Sequence, residues 1–145
     1  MNEPATIREI LETVRSIAVV GLTNREGRAS YGVSRFMQSQ GYRIVPVNPQ
    51  IEASLGEKAY PDLDSAVSAL KTEGADITLV NVFRAPEHVP SIVNDVIRLK
   101  IPYLWLQEGV VHPQAAARAE AAGIHVVMDR CILKERMAAG WKHRA

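Results

Sequence analysis

Five short aliphatic, β-branched runs constrain this chain more than any other feature of it: residues 16–20, 43–47, 76–82, 103–106 and 125–128. Each has the length of a strand rather than a helix. Their near-continuous Val, Ile and Leu content predicts burial on both faces, as in a parallel sheet. Helical patterns separate them. Val89, Ile92, Val93, Val96 and Ile97 fall on one helical face, and Pro86 and Pro90 suit its start. Asp62 is placed to cap a helix carrying Leu63, Val67 and Leu70. Residues 115–122 are alanine-rich, which favours helix. A helix is expected from about Tyr31, and two more over 4–14 and 131–139, with 140–145 as a basic tail. Gly41, Gly74 and Gly123 each follow a helical pattern and precede a strand, where a left-handed residue ends the helix.

Alternation of this kind predicts one α/β domain over 1–145: a Rossmann-like, doubly wound parallel sheet of about five strands with helices on both faces. The expected strand order is 3-2-1-4-5. Ligands of such sheets lie outside the carboxyl ends of the strands.

Composition removes several function classes. The 17 Lys and Arg against 16 Asp and Glu leave a net charge of +1, with no global field for nucleic acid or an anionic membrane. Cys131 is the only cysteine, so no internal disulfide forms and a reducing compartment is expected. The first residues carry an acid and no apolar run, and no stretch approaches a membrane span. The expectation is a soluble, cytoplasmic protein. His88, His112, His125 and His143 show no metal-ligand spacing, so no metal is expected.

The residues after each strand carry the candidate chemistry. After the first come Gly21, Leu22 and Thr23, then Arg25, Gly27, Arg28 and Ser30 ahead of a helix. Glycine admits close approach of a ligand, the helix start offers N–H groups, and the arginines add positive charge: a diphosphate cradle. Turn-forming glycines, a capping Ser30 and solvated arginines would give the same string. Residue 23 is Thr, so the GxGxxG fingerprint is absent. The second strand ends in Val47, Asn48 and Pro49, without the carboxylate that holds an unsubstituted ribose diol. That leans away from NAD and toward a nucleotide phosphorylated on its ribose. The prolines there also serve simply to stop the strand. Val82, Phe83 and Arg84 end the third strand, the arginine set for an anion or for an ion pair with Glu87. Gln107 and Gly109 follow the fourth, after a Trp105 that reads as core. Cys131 follows the fifth, either a thiol at a site mouth or a small buried hydrophobe.

This ordered set resembles the CoA-binding domain family, which includes small stand-alone bacterial proteins and the amino-terminal domain of succinyl-CoA synthetase α subunits and ADP-forming acyl-CoA synthetases. The matching residues are 19–23, 28–31 with Val33, 41–42, 44–49, Asp76, Val80, 82–84, 105–109 and 126–131. The resemblance implies coenzyme A lying across the strand ends. Gly21, Thr23, Arg28 and Ser30 would meet the diphosphate. Val47, Asn48 and Pro49 would meet the adenosine, flanked by Val82, Phe83 and Arg84. Gln107 and Gly109 would lie toward the pantetheine arm. The synthetases also carry phosphohistidine-bearing and nucleotide-grasp domains, and these 145 residues contain neither. The expectation is therefore non-catalytic binding of coenzyme A or an acyl-CoA, as carrier, sensor or partner subunit. The alternative is an enzyme on the same fold, handling thioesters through Cys131 or transferring hydride with NAD. A homodimer or an unidentified protein partner is compatible with either.

Overall fold

A computed structural model describes residues 1–140; the tail expected beyond Gly140 lies outside them. The chain runs α1 (Pro4–Thr13), β1 (Ser16–Val20), α2 (Ala29–Ser39), β2 (Arg43–Val47), β3 (Ala53–Ser54), β4 (Glu57–Lys58), α3 (Leu63–Thr72), β5 (Leu79–Val82), α4 (Val89–Arg98), β6 (Tyr103–Leu106), α5 (Pro113–Ala121), β7 (His125–Met128) and α6 (Ile132–Ala138). The main sheet has the order β2-β1-β5-β6-β7, parallel throughout.

Strand alternation divides the core into two layers. Ala18, Val20, Val45, Val80, Val82, Leu104, Leu106 and Val126 point to the face covered by α3, α4 and α5. Ile17, Val19, Ile44, Leu79, Trp105 and Val127 point to the face covered by α1, α2 and α6. Successive side chains of a strand must leave on opposite sides, so a strand apolar at every position needs both layers. The helices do as their patterns require: Val89, Ile92, Val93 and Val96 of α4 are buried. Asp62 caps α3, its side chain accepting from the Ser65 N–H at 2.8 Å. Gly41, Gly74 and Gly123 have φ of +93°, +77° and +88°.

Three expectations need correction. Counted along the chain, the five main strands lie in the order 2-1-3-4-5, not 3-2-1-4-5. The reason is the path of α3, which packs across both β1 and β2 and delivers β5 to the far side of β1. The outer flank of β2 is taken instead by Tyr60, whose N–H donates to Pro46 O while its own carbonyl accepts from Asn48 N–H. The third strand is shorter than 76–82, since its pairing with β1 begins at Leu79 opposite Ile17. The helix placed from Tyr31 begins at Ala29.

The hairpin β3–β4 was not expected. Its two-residue turn, Leu55-Gly56, has φ of +55° and +75°, the pair of positive angles of a type I′ turn.

A candidate ligand site at the strand switch point

From β1 the chain winds outward to β2 over one face, and from β5 outward through β6 to β7 over the other. The carboxyl ends of β1 and β5 are therefore the switch point, where the loops diverge and leave a crevice.

Gly21 forms its inner wall. The Gly21 N–H donates to Val47 O at 3.0 Å, and Phe83 N–H donates to Val20 O at 2.9 Å. This draws the ends of β2, β1 and β5 together. Gly21 has φ +91°, and a Cβ there would stand 2.5 Å from Phe83 O.

The loop after Gly21 is braced from three sides. Asn48 Nδ2 donates to Leu22 O at 3.0 Å. Ser54 Oγ, on β3, donates to Thr23 O at 2.7 Å. Ser30 Oγ accepts from Thr23 N–H at 3.2 Å. The small hairpin thus serves as a clamp on the loop, a role invisible in its two-residue strands.

The loop leads into α2, whose N-cap is Arg28 and whose first turn has no side-chain cap. The starts of α1, α4 and α6 likewise have no side-chain cap, whereas α3 and α5 are capped by Asp62 and His112. An uncapped helix start leaves its first N–H groups and the positive end of the helix dipole open to an anion. Arg25 and Arg28 are exposed beside it and form no ion pair among the described residues. Across the crevice, half-buried Arg84 sits 3.0 Å from His88 Nε2, with no ion pair to Glu87.

Past this cradle runs a cleft of about 320 Å³, lined by Ala29, Val33, Phe83, Arg84, Gln107, Glu108, Val110 and Cys131. It joins the start of α2 to the start of α6. Gln107 is 3% exposed, and its Oε1 accepts from Ile132 N–H at 3.0 Å. Lys134 pairs with Glu108 at 2.9 Å on the rim. This hydrogen-bonded carboxylate raises the Lys134 ammonium above its usual value.

The structure brings Gly21, Thr23, Arg25, Arg28, Ser30, Phe83 and Arg84 around the crevice, with Gln107 farther along the cleft. Other sequence candidates take different roles. The side chains of Leu22, Val47 and Val82 are buried in the core, so they offer a ligand backbone only. Asn48 spends its amide on Leu22 O and, through Oδ1, on Gln50 N–H at 2.8 Å. Pro49 is exposed beside it. Gly109 has φ +81° in a turn closed by Val110 N–H on Gln107 O, and its own N–H donates to Asp129 Oδ1. Its glycine is accounted for by that turn. Ala29 and Val33 entered the sequence reading only through the family resemblance, with no site role, and Val110 not at all; tertiary packing sets the three along one cleft. Among the described residues, no group of three or more His, Cys, Asp and Glu is placed to hold a metal ion, and no helix is long and apolar enough to cross a membrane.

Fold and crevice together define a doubly wound α/β domain of the kind that carries its ligand at the carboxyl ends of its strands. The family model described as CoA binding domain matches residues 15–137, and the chain belongs to that family. It is 42% identical over 128 residues to the uncharacterized protein YneT of Bacillus subtilis, covering 88% of this chain and 90% of that one. It is similar to the crystal structure of Prb, the PH1109 protein redesigned for binding, with a TM-score of 0.85 and 31% identity over 100% of this chain and 98% of the other. It also shares its fold with part of the dinucleotide-forming acetyl-coenzyme A synthetase 1 of Ca. Korarchaeum cryptofilum, with a TM-score of 0.67 and 17% identity. That match covers 83% of this chain and 27% of the synthetase.

Proposed function

We propose that this chain binds coenzyme A or an acyl-CoA without turning it over, as a carrier, sensor or partner subunit. The diphosphate lies over the N-terminus of α2, against Gly21, Thr23, Arg25, Arg28 and Ser30. The adenosine sits toward Asn48 and Pro49, with Arg84 alongside. The pantetheine arm follows the cleft past Phe83 and Val33 toward Gln107.

One observation carries this reading beyond family membership. The start of α2, with no side-chain cap and with the unpaired Arg25 and Arg28 beside it, adjoins at Ala29 a mainly apolar cleft. A phosphate-bearing head followed by a long, thin, uncharged arm fits that sequence of surfaces. The end of β2 offers Asn48 where a carboxylate would repel a phosphate on the ribose.

Calorimetric titration of ligand-stripped protein with CoA, 3′-dephospho-CoA, ATP and NAD tests the reading. CoA is expected to bind most tightly, and the dephospho form more weakly. Silence toward CoA with a clear signal for NAD would replace this reading with an oxidoreductase one.

A further inference from the structure

The partner of Arg84 sets it apart from the ion-paired arginines of the outer surface. Arg8, Arg43, Arg98 and Arg130 each meet a carboxylate. Arg84 forms no ion pair among the described residues, and its Nη2 lies 3.0 Å from His88 Nε2. A guanidinium has no acceptor and keeps its protons, so Arg84 donates and His88 Nε2 accepts. The imidazole in this contact is therefore neutral, with its proton on Nδ1. A carboxylate partner would orient the guanidinium and offset its charge. A neutral imidazole orients it and leaves the charge intact. Backbone fixes both ends of the contact. Pro86–His88 form a 3₁₀ turn, in which His88 N–H donates to Ala85 O at 2.9 Å. Pro86 and Pro90 stiffen this segment, and the fully buried Val89 anchors it at the start of α4. At the other end the Arg84 stem lies against Gly21: its Cδ stands 3.0 Å from where a Cβ on Gly21 would be. Arg84 also lines the cleft. The stem thus passes the switch point half-buried, and the guanidinium emerges beside the exposed His88. Exposed side-chain pairs add little to stability, so what this one governs is where the charge stands.

We propose that His88 is a positioning residue for a phosphate site at Arg84: the neutral imidazole holds the guanidinium at the crevice, fully charged, to meet a phosphate of the bound nucleotide. This role rests on the binding mode proposed above, which sets the adenosine toward Asn48 with Arg84 alongside. The guanidinium uses one N–H on His88 and keeps its others for phosphate oxygens, which it can meet in pairs. A long arginine side chain ordered before the ligand arrives loses less freedom on binding, and that raises affinity.

Calorimetric titration with CoA and 3′-dephospho-CoA, beside urea unfolding midpoints, tests this on the wild type and on Arg84→Ala, His88→Ala, His88→Gln and His88→Glu. Arg84→Ala should weaken CoA binding by roughly tenfold or more. His88→Ala should weaken it by roughly threefold or more, and should add nothing once Arg84 is also alanine. His88→Gln sets an amide oxygen near the position of Nε2 and should return affinity to within about twofold of the wild type. His88→Glu separates positioning from a merely structural contact. Its carboxylate pairs with Arg84, so stability should hold or rise, while affinity should fall at least as far as in His88→Ala. Losses larger for CoA than for 3′-dephospho-CoA put the ribose phosphate at Arg84, and equal losses put the diphosphate there. Unchanged affinity in both His88→Ala and His88→Glu, or a His88→Ala loss that persists beside Arg84→Ala, would overturn the proposal. No CoA binding by the wild type would instead remove the binding reading beneath it, and this role with it.

Discussion

The backbone carbonyl of Phe83 occupies the space that a Cβ on Gly21 would need, with 2.5 Å between them. The close approach follows from Phe83 N–H bonding Val20 O, which pulls the β5 end against the β1 end. A side chain at 21 meets two costs: a φ of +91°, where L-residues are strained, and a clash with backbone that no rotamer relieves. Gly21→Ala should therefore lower stability by about 1–3 kcal/mol, read as a shifted denaturation midpoint with an unchanged slope. It should also weaken CoA binding by widening the switch point. Unchanged stability would mean that the two loops separate freely and that their contact is unimportant.

Arg28 makes a contrasting case. It is exposed, pairs with no acid among the described residues, and contributes no side-chain cap to α2. Arg28→Ala should leave the unfolding curve in place. If its guanidinium meets the diphosphate, the variant should lose on the order of 1.5–3 kcal/mol of CoA binding, the range for a hydrogen bond to a charged group. Rising salt should weaken the wild type more than the variant. A fall in stability with intact affinity would assign Arg28 to the loop instead of the ligand.

Much of the fold is legible along the chain because each main strand is mostly apolar, broken only by single residues such as Ser16, Arg43, Asn81 and His125, and each helix carries one apolar stripe. Strand order is not, because it depends on where α3 lands after β2, a packing choice made across β1 and β2 at once. The hairpin β3–β4 is too short to show a period, and its turn places Leu55 at a positive φ that residue type does not announce. At the site, Gly21 and the arginines can be recognised by type and by their place after a strand. Asn48 and Gln107 read as ligand groups for the same reason, yet each is committed to a backbone partner distant in sequence, Leu22 O and Ile132 N–H. A polar side chain's partner is a property of the assembled fold. Trp105 reads correctly as core, being fully buried, while its Nε1 bond to Arg130 O ties β6 to the segment just before Cys131.

Asn48 allows the bracing role to be separated from ligand contact. Its Nδ2 bond to Leu22 O and its Oδ1 bond to Gln50 N–H join the β2 end to the cradle loop. Asn48→Ala removes both, leaving a buried residue's carbonyl less well satisfied, and should destabilise by about 1–3 kcal/mol. Asn48→Asp keeps an acceptor for Gln50 N–H but sets a carboxylate oxygen against Leu22 O. It also brings a negative charge to the end of β2. CoA affinity in the Asp variant should fall more than 3′-dephospho-CoA affinity if the ribose phosphate lies there. An equal loss for both ligands would place that phosphate elsewhere.

Asp64 in the first turn of α3 and Arg98 in the last turn of α4 tie two helices of one face together, with contacts of 2.7 and 2.9 Å. Hydrogen bonding to the guanidinium holds the Asp64 carboxyl below its ordinary value of 3.8. A carboxylate favoured in the folded state adds stability fully above its unfolded pKa and loses it as pH falls through the lower, folded value. The difference in stability between wild type and Asp64→Asn should therefore be constant from neutral pH down to roughly pH 5 and shrink below about pH 4. Both side chains are more than half exposed, so the difference should also diminish with added salt. Urea midpoints of the two proteins at several acidic pH values measure it. A gap that widens on acidification would reverse the sign and show that Asp64 is favoured in its protonated form.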